Sequence, residues 1–585
     1  METIVKYNED ALYKLRRRKI ALGEMKGEIT GYPSIDMPWL KYYSEEQILA
    51  PIPNMSALEY LKLLNNNNLN LPAIEFLGKQ ITYLELFKKI NDTTKSLHAL
   101  GVKPGEIVTI MLPACPEEVF LFYAIDQIGA CANFIFPGTP LTEVEHTMEE
   151  FNSTKLVILE DILMQPNNLV NNPKINLITT TLTGKYQIDG NNIYPWSTFD
   201  NLKNYVEMPI YKRNQEEPLF IAKTGGSTGK PKAVVLADRH FNLQVQQHLN
   251  SPINYTSGDR WVRVWPLFSA SSAVSSHHLP LCFGMTTIIE PAIDIEKMDD
   301  LIINYKPSHL LMISYCIDSL LKSKKIQDLD LSFIKTMGIG GEGVTPEFEE
   351  KAQRFMNNHN INSAMMYGYG MTENSSGVTS RFNYDTSKTG SVGVPQINTV
   401  VGIFDPETMK ELSYGEEGEV CILSSTHMLG YYGDDALTKS ILKKHEDGNV
   451  WLHSGDLGFM DEDGHLFIQG RTKRMIMLFS GDKIYPKDIE DLIETIDEVD
   501  RAVVVPEPDP DHENNVVPCV FVTLNQKIDE SLLSKKIQEI LGGNLSSNIK
   551  LNHIYIREVL PQTAIGKVDL KQLEAETKKM CKKRN

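Results

Sequence analysis

A chain of 585 residues, 42% hydrophobic and 23% charged, is too long for one ordinary core and predicts two or more globular domains. Its formal net charge of −18 disfavours nonspecific nucleic-acid binding but leaves room for a local basic pocket that takes a nucleotide. The seven cysteines are scattered with no C-x-x-C pair, which argues against a zinc site or a disulfide framework and fits a reducing, cytoplasmic setting.

Residues 1–50 read as an irregular or helical extension, with Tyr32-Pro33 and Met37-Pro38 as breakers. Arg16-Arg17-Arg18-Lys19 runs into mixed polar sequence instead of the apolar stretch of a signal peptide. Asn-rich stretches at 65–68 and 167–172 mark loops. From about residue 72, helical periodicity alternates with short Val/Ile-rich runs at 107–112, 156–159 and 175–178, with a helix over 142–151. Such runs predict a parallel sheet covered on both faces. The most apolar stretch, 119–136, contains Asp126 and Gln127 and reads as a buried helix and strand, so no integral membrane segment is expected. From Val392 the pattern changes to short strands and Gly-rich turns, a β-rich subdomain over about 392–472. After Gly470-Arg471-Thr472-Lys473-Arg474 comes a small α+β unit: a helix over 486–496, strands over 501–505 and 516–522, a helix over 530–541 and a strand over 551–556. The expected fold is α/β: a large N-terminal domain of doubly wound sheets over 51–472 and a small α+β C-terminal domain over 473–585.

One stretch carries the most chemistry: Thr224-Gly225-Gly226-Ser227-Thr228-Gly229-Lys230-Pro231-Lys232-Ala233, between apolar runs at 219–222 and 233–236. Glycines let backbone N–H groups approach an anion, hydroxyls add donors and lysine adds a mobile charge. The loop is suited to a polyphosphate. It is not a Walker A loop, which needs Gly-Lys-Ser/Thr leading into a helix. Here Pro231 follows Gly229-Lys230 and a strand-like run follows directly. That excludes the usual P-loop kinase.

Four further motifs follow in order. Tyr367-Gly368-Tyr369-Gly370-Met371-Thr372-Glu373 combines aromatic rings, a hydroxyl and a carboxylate on a Gly-loosened loop. Ser454-Gly455-Asp456 sets a carboxylate on a turn. Gly470-Arg471-Thr472-Lys473 precedes the expected boundary. Pro561-Gln562-Thr563-Ala564-Ile565-Gly566-Lys567 puts a lysine on a late Gly turn. Taken singly, Glu373 could cap a helix, Asp456 could be an ordinary turn residue, Tyr369 could be core and Lys567 could be solvated.

Together, over about residues 72–575, the motifs resemble the adenylate-forming (AMP-binding) enzymes: acyl-CoA synthetases, nonribosomal-peptide adenylation domains and firefly luciferase. The resemblance implies an ATP-dependent, Mg²⁺-dependent ligase. Such an enzyme converts a small carboxylic acid to an acyl-adenylate with release of pyrophosphate, then passes the acyl group to coenzyme A or to a carrier-protein phosphopantetheine. Carried over, Thr224, Gly225, Gly226, Ser227, Thr228, Gly229 and Lys232 cradle phosphate. Gly341, Glu342, Tyr367, Gly368 and Tyr369 surround the nucleoside, with Tyr369 stacked on adenine. Thr372 contacts the α-phosphate, Glu373 holds Mg²⁺, Asp456 accepts the ribose hydroxyls and Arg471 reaches ribose or phosphate. Lys567 bridges the carboxylate and the α-phosphate. Phe268, Ser269, Ser314, Tyr315, Gly340, Gly341 and Met371 line the acyl pocket. Lys473 is the hinge of a mobile C-terminal domain, and Ser480 and Gly481 lie on the thiol side.

The chain departs from the family pattern at Gly225, Ala233, Ser454 and Ser269, the last standing where many acyl-CoA synthetases carry a histidine. No aspartate suited to an α-ammonium is evident, which disfavours an amino acid as substrate. The leading expectation is an acyl-CoA synthetase. Its rivals are a ligase that loads a carrier protein in trans and a catalytically silent nucleotide-binding protein.

Overall fold

Two parallel sheets packed on shared helices form the body of the protein. The computed structural model describes residues 29–584 except 166, 183–187, 189, 209–210, 225–231, 292–296, 342, 472–473, 475, 479–482, 511, 513–514, 545–550 and 564–567. The first sheet has eight strands in the spatial order Gly430–Tyr431, Lys232–Ala237, Pro218–Thr224, Cys131–Phe134, Ile107–Met111, Lys155–Leu159, Asn176–Thr180 and Ile193–Pro195. The last six run parallel, while Lys232–Ala237 pairs antiparallel with both its neighbours. The second sheet has seven strands in the order Met366–Tyr367, Thr336–Ile339, His309–Met312, Arg260–Arg263, Thr286–Ile289, Pro72–Phe76 and Lys79–Thr82. Its pairings are parallel up to a final antiparallel hairpin.

Local sequence explains the helices that connect them. Thr82 and Glu85 form a reciprocal capping box at the start of Tyr83–Ala99. Pro116 opens the helix Pro116–Ile128, and Gly129 closes it in the left-handed conformation at φ 83°. This second helix is buried nearly all round because it lies between the sheets. Phe122 meets Phe220 of the first sheet at 6.4 Å between ring centres, and Glu118 faces Arg263 of the second at 3.3 Å. The apolar stretch that a membrane span would need is thus a core helix followed by the strand Cys131–Phe134. No helix among the described residues is long and apolar enough to cross a membrane.

A third, antiparallel sheet is organised on the long strand Val450–Met460. This strand pairs with Gly418–Ser424, Leu442–Lys444 and Leu466–Arg471, and Thr399–Phe404 completes the sheet. Short helical turns at Pro33–Asp36, Pro38–Tyr42 and Glu45–Ile48 pack onto this region. Met37, Trp39, Leu40, Tyr43 and Ile48 are buried in the main core, and Ser34 bonds Glu411 at 2.8 and 2.7 Å. The stretch 33–48 is helical, as expected, and packs on the main core. Its apolar side chains had no visible period because the turns are too short to show one.

The C-terminal unit has its own core. Strands Val499–Pro508, Val516–Leu524 and Ile554–Ile556 form a sheet with helices on both faces. Alternation divides the strands. Val504, Val520 and Val522 pack with Ile489, Ile493, Leu533 and Ile537 on one side, and Val503, Val505, Cys519 and Phe521 pack with Leu573 on the other. Among the described residues, no buried hydrophobic cluster includes residues from both sides of the gap between Leu466 and Ile476. The first strand runs from Val499 to Pro508, longer than the five residues expected, because it pairs along its whole length with Val516–Leu524. The six described cysteines are free and buried.

Candidate active site

Four strands of the second sheet deliver the motif residues to one edge. Arg260–Arg263 leads to Phe268 and Ser269, His309–Met312 to Ser314, Thr336–Ile339 to Gly340 and Gly341, and Met366–Tyr367 to the Gly368–Glu373 loop. All four strands run parallel, so these loops leave from carboxyl ends, where open α/β sheets bind ligands.

The glycines of the Tyr367–Gly370 loop are required by close packing. A Cβ on Gly368 would lie 2.6 Å from the Thr379 carbonyl, and one on Gly370 would lie 1.9 Å from the Ser376 carbonyl. Pressed against 376–380, the loop turns Tyr369 inward. Its hydroxyl donates to Asp456 Oδ2 at 2.6 Å. Asp456 sits on the long strand of the third sheet, opposite Arg471, whose Nε lies 3.1 Å from Oδ1. Ser454 Oγ accepts from the Asp456 amide at 3.0 Å, and Glu419 accepts from the Gly455 amide at 3.0 Å. Burial raises the Asp456 carboxyl above its ordinary range, while Arg471 and Tyr369 pull it down. Burial, reinforced by Asp456, pushes the Tyr369 phenol well up.

A second cluster forms where the first sheet meets the Thr372–Asn374 turn. Thr224 and Lys232 face each other across the hairpin whose loop is the Gly-rich motif. Lys232 Nζ lies 3.4 Å from the Tyr431 hydroxyl and 4.9 Å over its ring. That hydroxyl donates to Glu373 Oε1 at 2.7 Å. Glu373 is half-buried, and its own carbonyl accepts from the Met428 amide at 2.9 Å. Thr372 shares this turn and Met371 precedes it. Burial, then Glu373, raises the Tyr431 phenol. A half-buried carboxylate, linked to the hairpin lysine through the Tyr431 hydroxyl, fits Mg²⁺, which typically uses one or two protein carboxylates and fills its shell with phosphate oxygens and water.

The structure thus brings together Lys232 with Glu373, and Tyr369 with Asp456 and Arg471. Tyr367 is instead a buried brace: its hydroxyl accepts from the Val344 amide at 3.1 Å, and the Arg381 guanidinium lies 5.4 Å over its ring. Ser269 caps the short helix Ala270–Ala273 through a reciprocal bond with Ser272, and Phe268 packs edge-on against Phe136 at 5.2 Å. Gly341 adopts φ 84°, and Gly340 lies under Leu311. Ser314 and Tyr315 diverge because they are successive residues on the first turn of Ser314–Lys322. Ser314 is buried and accepts from Arg501 of the C-terminal unit at 2.6 Å. Tyr315 is 46% exposed and borders an open surface cavity of about 470 Å³ with Asp299 and Lys325. Gly225, Gly226, Ser227, Thr228, Gly229, Glu342, Lys473, Ser480, Gly481 and Lys567 lie outside the described residues.

Sequence reading missed Tyr431 and Glu419. Tyr431 reaches the site only because Gly430–Tyr431 pairs with Val234 and Val235 of the hairpin strand. Its sole local signal is an aromatic pair following a glycine.

Doubly wound sheets, a Gly-rich hairpin and two carboxylate-bearing clusters define an adenylate-forming enzyme. The AMP-binding enzyme model matches residues 64–432, and the AMP-binding enzyme C-terminal domain matches 488–567. The chain belongs to the AMP-binding enzyme family. It is 25% identical over 570 residues to the long-chain-fatty-acid–CoA ligase of Bacillus subtilis (strain 168), covering 92% of this chain and 98% of that one. It is 28% identical over 489 residues to the 4-coumarate–CoA ligase of Vanilla planifolia, covering 82% and 85%. In fold it is similar to an anthranilate CoA ligase in complex with anthranoyl-AMP, with a TM-score of 0.78, 20% identity and coverage of 91% and 98%. It is equally similar to ATP-bound MatB from Rhodopseudomonas palustris, with a TM-score of 0.78, 21% identity and coverage of 90% and 100%.

Proposed function

We propose that this enzyme is an AMP-forming acid–thiol ligase that makes an acyl-CoA from a small carboxylic acid. The observation that carries the reading is the Lys232–Tyr431–Glu373 chain at the loop end of the Gly-rich hairpin. Lys232 supplies positive charge for the outgoing phosphates, and Glu373 is the anchor for Mg²⁺, which when bound screens the triphosphate from the attacking carboxylate. Asp456, with Tyr369 beside it, is placed to accept the ribose hydroxyls, and Tyr369 to lie against adenine. The substrate carboxylate is the nucleophile, so the protein supplies none. It attacks the α-phosphorus and pyrophosphate leaves with the bridging electrons; a thiol, giving up its proton, then attacks the acyl carbon of the adenylate, and AMP leaves with the electrons of the acyl C–O bond.

Lys567 serves the first step, bridging carboxylate and α-phosphate. Rotation about Lys473 then withdraws it and brings residues 479–483, with Ser480 and Gly481, toward the thiol. The names of the relatives support coenzyme A as that thiol; a carrier-protein phosphopantetheine is the second reading, supported by the chemistry the two thiols share. The test is pyrophosphate release across a panel of carboxylic acids, followed by transfer to coenzyme A or to a phosphopantetheinylated carrier. Acid-dependent release and coenzyme A thioester are expected. Nucleotide binding without release for any acid would make the protein a silent binder, and thioester only on the carrier would replace the acceptor. The Lys567→Ala variant should lose about 10²–10³ in pyrophosphate release, the scale of one preorganised donor, while still converting supplied acyl-adenylate to thioester.

A further inference from the structure

Beneath the Phe268–Ser276 segment lies a buried polar cluster whose hydrogen-bonding capacity the protein leaves unused. Arg263, the last residue of its strand, is fully buried. Its Nη2 lies 3.3 Å from Glu118 Oε2 and donates to the Cys115 carbonyl at 3.4 Å, while Nε and Nη1 have no hydrogen-bond partner among the described residues. Glu118 Oε1 accepts from the Leu267 amide at 3.2 Å, which ties the cluster to the residue just before Phe268. His277 follows Ser276 in the π-helical turn Val274–His278. It is fully buried, and neither ring nitrogen has a hydrogen-bond partner among the described residues. Its ring rests 5.4 Å from both Phe122 and Tyr123. π-turns of this kind are frequent at functional sites.

Buried donors without acceptors oppose folding, and a guanidinium most of all. Apolar side chains of similar size would serve the core better. Burial also raises the Glu118 carboxyl, although Arg263 beside it pulls it down, so the pair balances its charges less fully than it would in water. The unmet groups are two guanidinium N–H positions and an imidazole, a donor-rich set suited to an acceptor oxygen, and in the chain they lie on either side of Phe268 and Ser269, which are expected to line the acyl pocket.

We propose that Arg263 and His277 form a polar subsite at the far end of the acyl pocket that receives an acceptor oxygen, foremost a second carboxylate, of the acid being activated. This rests on the acid-activating reading above. The enzyme then prefers acids that carry a polar group remote from the reacting carboxylate over their hydrocarbon counterparts.

The experiment is acid-dependent pyrophosphate release by the full chain. Two series are used, straight-chain acids of four to twelve carbons (about the reach of such pockets) and phenylpropenoic acids, each ending in hydrogen, hydroxyl or carboxyl. The carboxyl-ended member should exceed its hydrogen-ended counterpart in kcat/KM by about tenfold or more. A stronger preference for hydroxyl keeps the subsite and makes its guest neutral. His277→Phe preserves the ring packed on Phe122 and removes both nitrogens, so it should collapse the ratio without changing KM for ATP. Arg263→Met should collapse it further; should that variant fail to fold, His277→Phe decides. Equal or better turnover of hydrogen-ended acids, or a ratio untouched by His277→Phe, overturns the subsite alone. No release with any member of either series overturns the acid-activating reading with it.

Discussion

At one end of the site Tyr431 donates to Glu373 at 2.7 Å, and at the other Tyr369 donates to Asp456 at 2.6 Å. The two pairs share their chemistry and differ in setting. Asp456 is 4% exposed, embedded in an eleven-residue strand, and its amide and the preceding one are held by Ser454 and Glu419. Glu373 is half-buried on a three-residue turn beside a lysine. A desolvated, sheet-held carboxylate suits a fixed neutral partner such as a sugar hydroxyl, because its geometry costs little to preorganise. A partly hydrated carboxylate suits a cation that keeps water and exchanges ligands each turnover. Burial and anchoring thus give two carboxylates, Asp456 and Glu373, different settings, and the two tasks proposed for them follow from those settings.

Four measurements break or sharpen that contrast. The largest effect is expected for Glu373→Gln, which should lower pyrophosphate release by about 10²–10³-fold with little change in thermal midpoint. An unchanged Mg²⁺ dependence would remove Glu373 from the metal. Next, Asp456→Asn should weaken AMP binding by calorimetry by about 1.5–3 kcal/mol, the range for a charged hydrogen bond. If Glu373→Gln weakens AMP binding equally, the two ends are not distinct in function. Smaller still, Tyr431→Phe keeps the ring under Lys232 but frees Glu373. It should slow adenylation about five- to tenfold, near 1 kcal/mol, and leave AMP affinity alone, whereas Tyr369→Phe should do the reverse.

The smallest effect concerns the place where the helix Pro486–Glu494 meets the third sheet. Burial, with Glu417 and Asp491 nearby, raises the Asp488 carboxyl to about 6. The folded protein therefore holds this proton to higher pH than the unfolded chain. Its contribution to stability is unfavourable above about 6 and is relieved as pH falls through that value toward the ordinary carboxylate range. Asp488→Asn should stabilise the protein at pH 7.5 by less than about 1 kcal/mol, given solvent screening, and not at pH 4. Denaturant melts at both values check it, and equal stabilisation at both would assign the effect to packing.

Much of the fold was legible locally. The runs at 107–112 and 156–159 are strands because they are apolar on both faces, as strands between helix layers must be. Thr82 with Glu85 and Gly129 mark helix ends through hydrogen bonds made within a few residues, and Pro116 through its fixed φ, local signals that the sequence reading did not use. The hairpin around the Gly-rich loop follows from two apolar runs and the glycines between them. The stretch 33–48 was not legible as core, since its burial depends on Glu411 and Pro395 far along the chain.

By itself, then, the sequence determined the periodic elements, the Gly-rich hairpin and the residue types available for phosphate, ribose and metal. All of these depend on neighbours close in the chain. The tertiary structure decided which of them meet. Tyr369 reaches Asp456 across 87 residues and Lys232 reaches Tyr431 across 199, through sheet pairings that no local pattern encodes. It also turned Tyr315 outward and Tyr367 into a brace, and it set Arg263 beside Glu118, 145 positions apart by number, because the helix between the sheets buries them together. Burial and hydrogen-bond satisfaction are properties of the packed whole, so the tuning of each carboxylate appears only there.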